Sequence, residues 1–388
     1  VRATSAISGI FARLAPWRGV AAAPSAEERI AFATQFQLTW WRFRKHRLAV
    51  WSGVIVALFY LVAIFADFIA YTDPHATDAR RSYIPPQAIH IFDADGSVSP
   101  WVHGLKGKRD LKTFKIVYSV DPESKLYLRF FAEGYRYDLF GLIPTTTHLI
   151  GVADGNAEDG LYLLGTDLLG RDLWSRIAVA TRISLFIGLA GVMVSLFLGV
   201  LLGGISGLYG GTIDTLIQRL IEVIRSIPTI PLWMGLAAAL PNDWTTTQIY
   251  FAITVIISFI GWTDLARVVR GRFLALRGED FVTAAELAGA SRMRIIFRHM
   301  LPSFLSHIIA ATSLALPAMI ISETSLSFLG LGLRPPAISW GILLQDAQNI
   351  QTLGIAPWLL VSAVPVIVII LAFNFLGDGL RDAADPYG

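Results

Sequence analysis

The sequence predicts an all-α polytopic membrane protein. Six transmembrane helices are expected, with a small β-rich extracytoplasmic insert between the first and the second. Three observations predict this. Of 388 residues, 54% are hydrophobic and only 16% are charged, where soluble domains carry about 25% charged residues. The mean hydropathy is +0.57. Six stretches approach the roughly 20 apolar residues that a helix needs to cross a bilayer, and arginines collect on alternate short loops.

The expected spans, in order, are Leu48 to Ala66, Ile183 to Leu208, Leu216 to Leu240, Ile249 to Leu265, Phe304 to Ile321 (extending towards Phe328) and Trp358 to Phe375. Pro228 and Pro231 fall inside the third and should bend it, because proline removes a helix hydrogen bond and clashes with the preceding turn. Short loops rich in Lys and Arg stay in the cytoplasm. Arg42, Arg44, Lys45 and Arg47 precede the first span. Arg267, Arg270, Arg272, Arg277, Arg292, Arg294 and Arg298 lie between the fourth and fifth, and Arg381 follows the sixth. The opposite short loops are nearly bare, with only Arg334 between Leu331 and Pro357. Both termini are therefore expected inside.

The resulting organisation is a cytoplasmic basic tail and amphipathic interfacial helix over 1–47, a first helix over 48–70, an outer insert over 71–181, and a five-helix core over 182–388. The first span is too long and too far from the start to read as a cleavable signal peptide. The first two dozen residues form a basic tail or a transit peptide. Ser25 and Glu28 make a capping-box pattern, and Phe36, Trp40, Trp41 and Phe43 read as interfacial anchors. In the insert, Thr113 to Tyr118 and Lys125 to Phe130 alternate as strands do. Asp121-Pro122-Glu123 between them is expected to turn.

Several chemistries are excluded. With no cysteine, disulfides, thiolate zinc sites, iron–sulfur clusters and cysteine nucleophiles fall away. No GxxxxGK[ST] phosphate loop exists; Gly107-Lys108 is followed by Arg109. Asp93-Ala94-Asp95-Gly96 resembles a calcium loop, but its glycine comes two positions early. No metal, cofactor or nucleic-acid role is expected, and no catalytic residue. One alternative is an intramembrane serine protease built from Ser206, in Gly204-Ile205-Ser206-Gly207, and His307. The competing reading is a run of small residues that lets helices pack closely. A lone secondary transporter is a second alternative, although two matching halves with broken helices are not evident.

The informative stretch is the loop 279–302. Asp280 is expected to cap a short helix. Phe281, Ala284, Ala285 and Ala288 follow at i, i+3, i+4, i+7, and Gly289 ends it. Ser291 is expected to cap a second helix carrying Met293, Ile296, Phe297 and Met300 at the same spacing, closed by Leu301-Pro302. Two amphipathic helices meeting at a glycine bend need a surface to cover them: a partner, the lipid surface or the chain's own helices.

Ala284-Ala285-x-x-x-Gly289 followed by Leu301-Pro302 resembles the permease signature of bacterial ATP-binding-cassette (ABC) importers, with Thr283 standing where the family usually has glutamate. Leu164 to Asp172, Gly207 to Gly211, Ser325 to Gly332 and Leu376 to Asp382 resemble the oligopeptide/dipeptide (peptide/nickel) permeases, in the C-subunit branch. The resemblance covers about Tyr162 to the end, plus the first span. It implies the type I ABC importer permease fold, with Thr283, Ala284, Ala285, Gly289, Leu301 and Pro302 contacting an ATPase. It implies a second permease subunit in a heterodimer, two ABC ATPases, an extracytoplasmic solute-binding protein and a bacterial inner-membrane location. Peptides are the family's commonest cargo; oligosaccharides and nickel chelates are carried by similar proteins.

Three polar groups stand out in the spans. Glu323, late in the fifth, is expected to face the pathway or a partner, or to make an internal hydrogen bond. A charge at the membrane centre costs roughly 2.5–3.5 kcal/mol on insertion scales. Asn374 and Asp378 share one helix face, as a structural link or a gate. Arg219, Glu222 and Arg225 are expected to form surface pairs.

Overall fold

The computed structural model describes residues 35–93, 97–109, 111, 116–153, 160–241 and 243–384. Ser25 and Glu28, and the first residues of the expected strand at Thr113, lie outside them. A short helix, α1 (Gln35–Lys45), leads through His46 into α2 (Arg47–Ile64). The His46 ring accepts the Ala49 amide and starts the span. A one-turn helix, α3 (Ala66–Ile69), follows at its far end.

The insert is a four-stranded antiparallel sheet in sequential order: β1 (Ile89–Phe92), β2 (Val98–Arg109), β3 (Ile116–Leu139) and β4 (Ile143–Val152). Its longest strand corrects one expectation. Asp121-Pro122-Glu123 does not turn the chain but bulges within the continuous β3. Gly104 pairs with Asp121 and the neighbouring His103 with Lys125, so three residues of β3 are extruded. The bulge is stabilised locally. Asp121 accepts the Glu123 amide and pairs with Lys106 at 2.8 Å. Gly104 permits the close approach, since a Cβ there would meet Ser124 Oγ at 2.4 Å.

The core follows as α4 (Leu173–Tyr209), α5 (Gly211–Ser226), α6 (Thr229–Ala238) and α7 (Thr246–Leu276). Within the loop 279–302 lies α8 (Asp280–Leu287), and beyond it come α9 (Leu305–Phe328), α10 (Trp340–Asp346), α11 (Ile350–Ile355) and α12 (Ala363–Ala384). Among the described residues five helices are long and apolar enough to cross a membrane, or six if α5 and α6 form one bent span. Those two meet at 86° around Ile227-Pro228, where the proline bend was expected.

One span begins well before its expected start. Asp172 caps α4 by accepting the Ser175 amide at 2.7 Å, so the helix starts at Leu173 rather than Ile183. Two arginines in the added turns are neutralised. Arg176 bonds the buried Asp167, and Arg182 holds Asp67 through both guanidinium nitrogens.

Close helix packing depends on glycines of α4. A Cβ on Gly203 would sit 2.4 Å from the Ala266 carbonyl oxygen, and one on Gly207 2.6 Å from Phe273 Cβ. The main core joins Val56, Ala63, Leu185, Ile320, Trp340 and Phe373 from α2, α4, α9, α10 and α12.

Candidate functional site

The loop after α7 folds as two short helical pieces with a core of their own. α8 begins at Asp280, and its N-cap is Glu279, with no side-chain cap bond. Asp280 is thus the first helical residue rather than the cap; an acid in the first turn still complements the helix dipole. The helix ends as a Schellman motif. The Ala290 amide donates to the Ala285 carbonyl, and the Gly289 amide to that of Glu286. Gly289 has φ +76, and nothing lies within 4 Å of where its Cβ would stand. Ser291 then caps the second piece, accepting the Arg294 amide. This piece is α-helical at Arg292–Arg294, π-wound over Ile295–Met300 and α-helical again at Leu301–Ser303.

The loop's faces divide differently from the expected stripe. Ala285 is buried, together with Val282, Ile295, Ile296 and Met300, against Val269 and Phe273 of α7. Ala285 therefore belongs to the chain's own core. The reason lies in the glycine stop: a Schellman motif folds the residue after the glycine back onto the last turn, here Ala290 onto Ala285. The outward face holds Phe281, Thr283, Ala284, Ala288, Gly289, Met293 and Phe297, all exposed. Leu287 is 86% exposed, against 40% for Phe281, and is the more exposed of the two large apolar side chains on the outer face of α8. It was not among the expected contact residues. Leu301 is half-buried beneath this face and Pro302 is exposed. Arg292 bridges the pieces, pairing with Glu286 at 2.7 Å and lying 5.8 Å from the Tyr209 ring centroid at the end of α4.

Behind the loop sits a polar corner. Arg270 of α7 grips both carboxylate oxygens of Asp214 in α5. Ser206 donates to the same carboxylate and accepts from Gln218 at 3.1 Å. Gly210 and Gly211, at φ +66 and +57, make the tight turn between α4 and α5. The Ser206 hydroxyl is thus committed to Asp214. His307, its expected protease partner, has a side chain outside the described residues. Arg219 pairs with Glu222 at 2.7 Å, whereas Arg225 reaches Asp264 of α7.

Glu323 is fully buried. It accepts hydrogen bonds from Ser184 at 3.1 Å and from Ser327 at 2.8 Å. Ser184 in turn accepts the Trp340 amide at the start of α10. Of the two expectations for Glu323, the internal hydrogen bond is the one the structure shows. Within this chain it does not line an open pathway. Asn374 is half-buried, Asp378 is exposed, and no hydrogen bond joins them.

At the opposite end of α4, Asp167 takes Arg171 at 2.6 Å and also Arg176, and Asp346 of α10 completes the cluster. Beside it the buried Asp172 accepts the Tyr71 hydroxyl at 2.8 Å. Desolvation pushes the Asp172 carboxyl up to about 6, against the lowering effect of its donors.

The described residues hold no group of three or more metal-binding side chains. Residues 199–387 match the binding-protein-dependent transport system inner membrane component, and residues 34–86 match the N-terminal transmembrane domain of oligopeptide transport permease C. The oligopeptide transport system permease protein OppC of Haemophilus influenzae is 41% identical over 229 residues, covering 59% of this chain and 71% of that protein. The OppC of Bacillus subtilis is 35% identical over 252 residues, covering 65% and 78%. The dipeptide transport system permease protein DppC of Lactococcus lactis subsp. cremoris is 31% identical over 352 residues and covers 90% of each chain. A match of that length takes in the outer insert. A solved structure of the MetNI methionine ABC transporter aligns at TM-score 0.39 and 21% identity, over 55% of this chain and 94% of that one.

The family models and the permease relatives define a membrane permease subunit of a binding-protein-dependent transport system. The chain belongs to the binding-protein-dependent transport permeases, in the oligopeptide permease C branch.

Proposed function

We propose that this chain is one half of a heterodimeric permease that imports peptides across a bacterial inner membrane. It works with a second permease, two ABC ATPases and an extracytoplasmic solute-binding protein. Both termini and the loop 279–302 face the cytoplasm, and the sheet faces outward. The peptide cargo is taken from the named relatives, which are oligopeptide and dipeptide permeases.

The observation that carries this reading is the two-faced loop. Its inner face is packed against α7, while Phe281, Leu287, Met293 and Phe297 stand exposed outside it. A loop already packed on its own helices yet still presenting large apolar side chains suits a second protein. We assign this face to an ATPase. When nucleotide closes the ATPase pair, a push on α8 passes to α7 through the shared core, and to the α4–α5 corner through Arg270 and Asp214. Two states of the membrane helices, biased by nucleotide, then give alternating access.

The decisive experiment reconstitutes the complex in proteoliposomes. Peptide uptake should require external binding protein and ATP on the ATPase side. In this cysteine-free chain, Ser291→Cys should react with an impermeant thiol reagent only after the membrane is opened, and Ser97→Cys should react from outside at once. Uptake without ATP, or external labelling at position 291, refutes the reading.

A further inference from the structure

The tip of the β3–β4 hairpin differs from the rest of the insert. From Leu139 to Thr147 there is no charged side chain; the exposed Asp138, paired with Pro144, borders this stretch on the sheet side, and the remaining strands carry Lys106, Lys108, Arg109, Lys125, Arg129, Glu133 and Arg136. Its large apolar groups are exposed: Phe140 53%, Leu142 83% and Ile143 57%. Phe131, further along β3, is also exposed. An uncharged loop with its apolar side chains in water is unfavourable, so the tip needs a cover.

Its position identifies that cover. The Phe140 ring packs edge-on against Phe65 at 5.6 Å, and Phe131 packs against Phe68 at 6.0 Å. Phe65 directly follows α2, whose 18 residues rise about 27 Å, close to the roughly 30 Å of a bilayer's hydrocarbon. Phe65 therefore lies at the hydrocarbon boundary. The Asp67–Arg182 ion pair lies just beyond it, at headgroup level. The hairpin is pinned there: the His148 ring nitrogens lie 3.1 and 2.9 Å from the carbonyl oxygens of Asp67 and Tyr135, and the neutral ring donates to one of the two. Phe131 and Phe140 both adopt positive φ, as does Gly141, a conformation that bulky residues rarely take. The backbone bends against its own preference where the rings meet α2 and α3. Ile64 and Leu61, on the neighbouring surface of α2, are exposed as lipid-facing residues are.

We propose that the β3–β4 tip is a membrane anchor. It inserts Phe140, Leu142 and Ile143 into the acyl-chain boundary of the leaflet that Phe65 borders, and so ties the sheet to the bilayer beside the first span. The partner is lipid, recognised by apolar contact without charge selectivity. The proposal rests on α2 crossing the membrane but not on the identity of the cargo.

The absence of cysteine makes the test direct. A nitroxide is placed at Leu142→Cys, and in a separate sample at Ile143→Cys, in the assembled complex in lipid nanodiscs. Collision with dissolved oxygen and with a water-soluble nickel chelate is compared with Leu58→Cys, on the exposed face of α2, and with Glu123→Cys, in the exposed bulge. The anchor predicts loss of nickel collision and high oxygen collision at 142 and 143, as at 58 and unlike 123. Nickel collision matching position 123 overturns the proposal. Shielding from both reagents also overturns it, because a protein then covers the tip. Shielding that requires added solute-binding protein identifies that protein as the cover. Nickel access at position 58 would instead remove the spanning role of α2, and the anchor with it. Since Leu142 projects freely, neither cysteine should impair folding; equal yields and melting temperatures check this.

Discussion

Leu287 is the side chain on which the docking surface is most easily tested. It is 86% exposed on α8 and belongs to none of the chain's buried clusters. Truncating it should leave the permease's own stability within about 0.5 kcal/mol, as for most surface substitutions. Burying a leucine in a partner groove contributes roughly 1.5–3 kcal/mol. Leu287→Ala should therefore weaken ATPase binding by roughly 10- to 100-fold. Ala285→Glu provides the contrast. It places a carboxylate among Val282, Phe273 and Ile296, and an unpaired buried charge costs roughly 3–5 kcal/mol. That variant should lower the yield and melting temperature of the isolated permease before any partner is added. The assay titrates purified ATPase onto permease in nanodiscs, with melting followed in parallel. Wild-type ATPase affinity and uptake in Leu287→Ala would show that this face does not meet the ATPase.

Gly289→Val should strain the Schellman turn by roughly 1–2 kcal/mol, because a left-handed β-branched residue is disfavoured. Gly289→Asn should be better tolerated, since asparagine visits that region. Their ATPase affinities should fall in that order, and equal values would dissociate the turn from docking. Thr283→Glu, on the exposed face of α8, should leave melting unchanged and docking unchanged or tighter; loss of docking would contradict the assigned face. Glu323→Ala leaves the Ser184 and Ser327 hydroxyls without their carboxylate, at about 1–3 kcal/mol for each buried group left unpaired. It should lower the melting temperature in detergent without partners, and an unchanged melting curve would contradict the internal role. Asp172 has a folded value of about 6 against an ordinary 3.8. Its ionised form is penalised only in the folded state, so stability should rise as pH falls from about 7 towards 4. The full gap corresponds to roughly 3 kcal/mol. Asp172→Asn keeps the helix cap and should flatten this component of the pH dependence of melting; an unaltered slope would exclude Asp172 as its source.

The long apolar helices were legible because lipid demands them, five or six as the bent pair is counted, and the bend at Pro228 because proline leaves few options. The β3 bulge was not. Asp-Pro-Glu is turn chemistry in isolation, and only pairing with Gly104 across the sheet shows that the chain continues. The exposed face of the loop 279–302 was half legible. Periodicity gathered Phe281, Ala284, Ala285 and Ala288 onto one stripe but left open which edge faced inward. The signal that resolves it was present in Gly289. A glycine stop folds Ala290 onto Ala285 and turns that edge towards α7. Leu287, beside the stripe, is then left 86% exposed.

The early start of α4 shows why hydropathy alone misplaces a boundary. Arg176 and Arg182 ended the apolar window, and the expected span therefore began at Ile183. In the fold neither arginine stands as an isolated charge. Arg176 is enclosed by Asp167 and Asp346, and Arg182 by Asp67 from the end of the first span. Asp167 is nine residues from Arg176, but the other two acids come from distant parts of the sequence, 115 residues away for Asp67 and 170 for Asp346. No local pattern announces such pairs. Their effect is to carry α4 outward to the base of the sheet, where Asp172, Tyr71 and Ser175 close the helix start. The same helix runs 37 residues to Tyr209, about 55 Å at the usual rise. Its far end meets the Asp214–Arg270 corner behind the loop 279–302. One continuous helix thus joins the ionic cluster below the insert to the polar corner behind the loop 279–302. The arginines that obscured its start are the groups that fix its outer end.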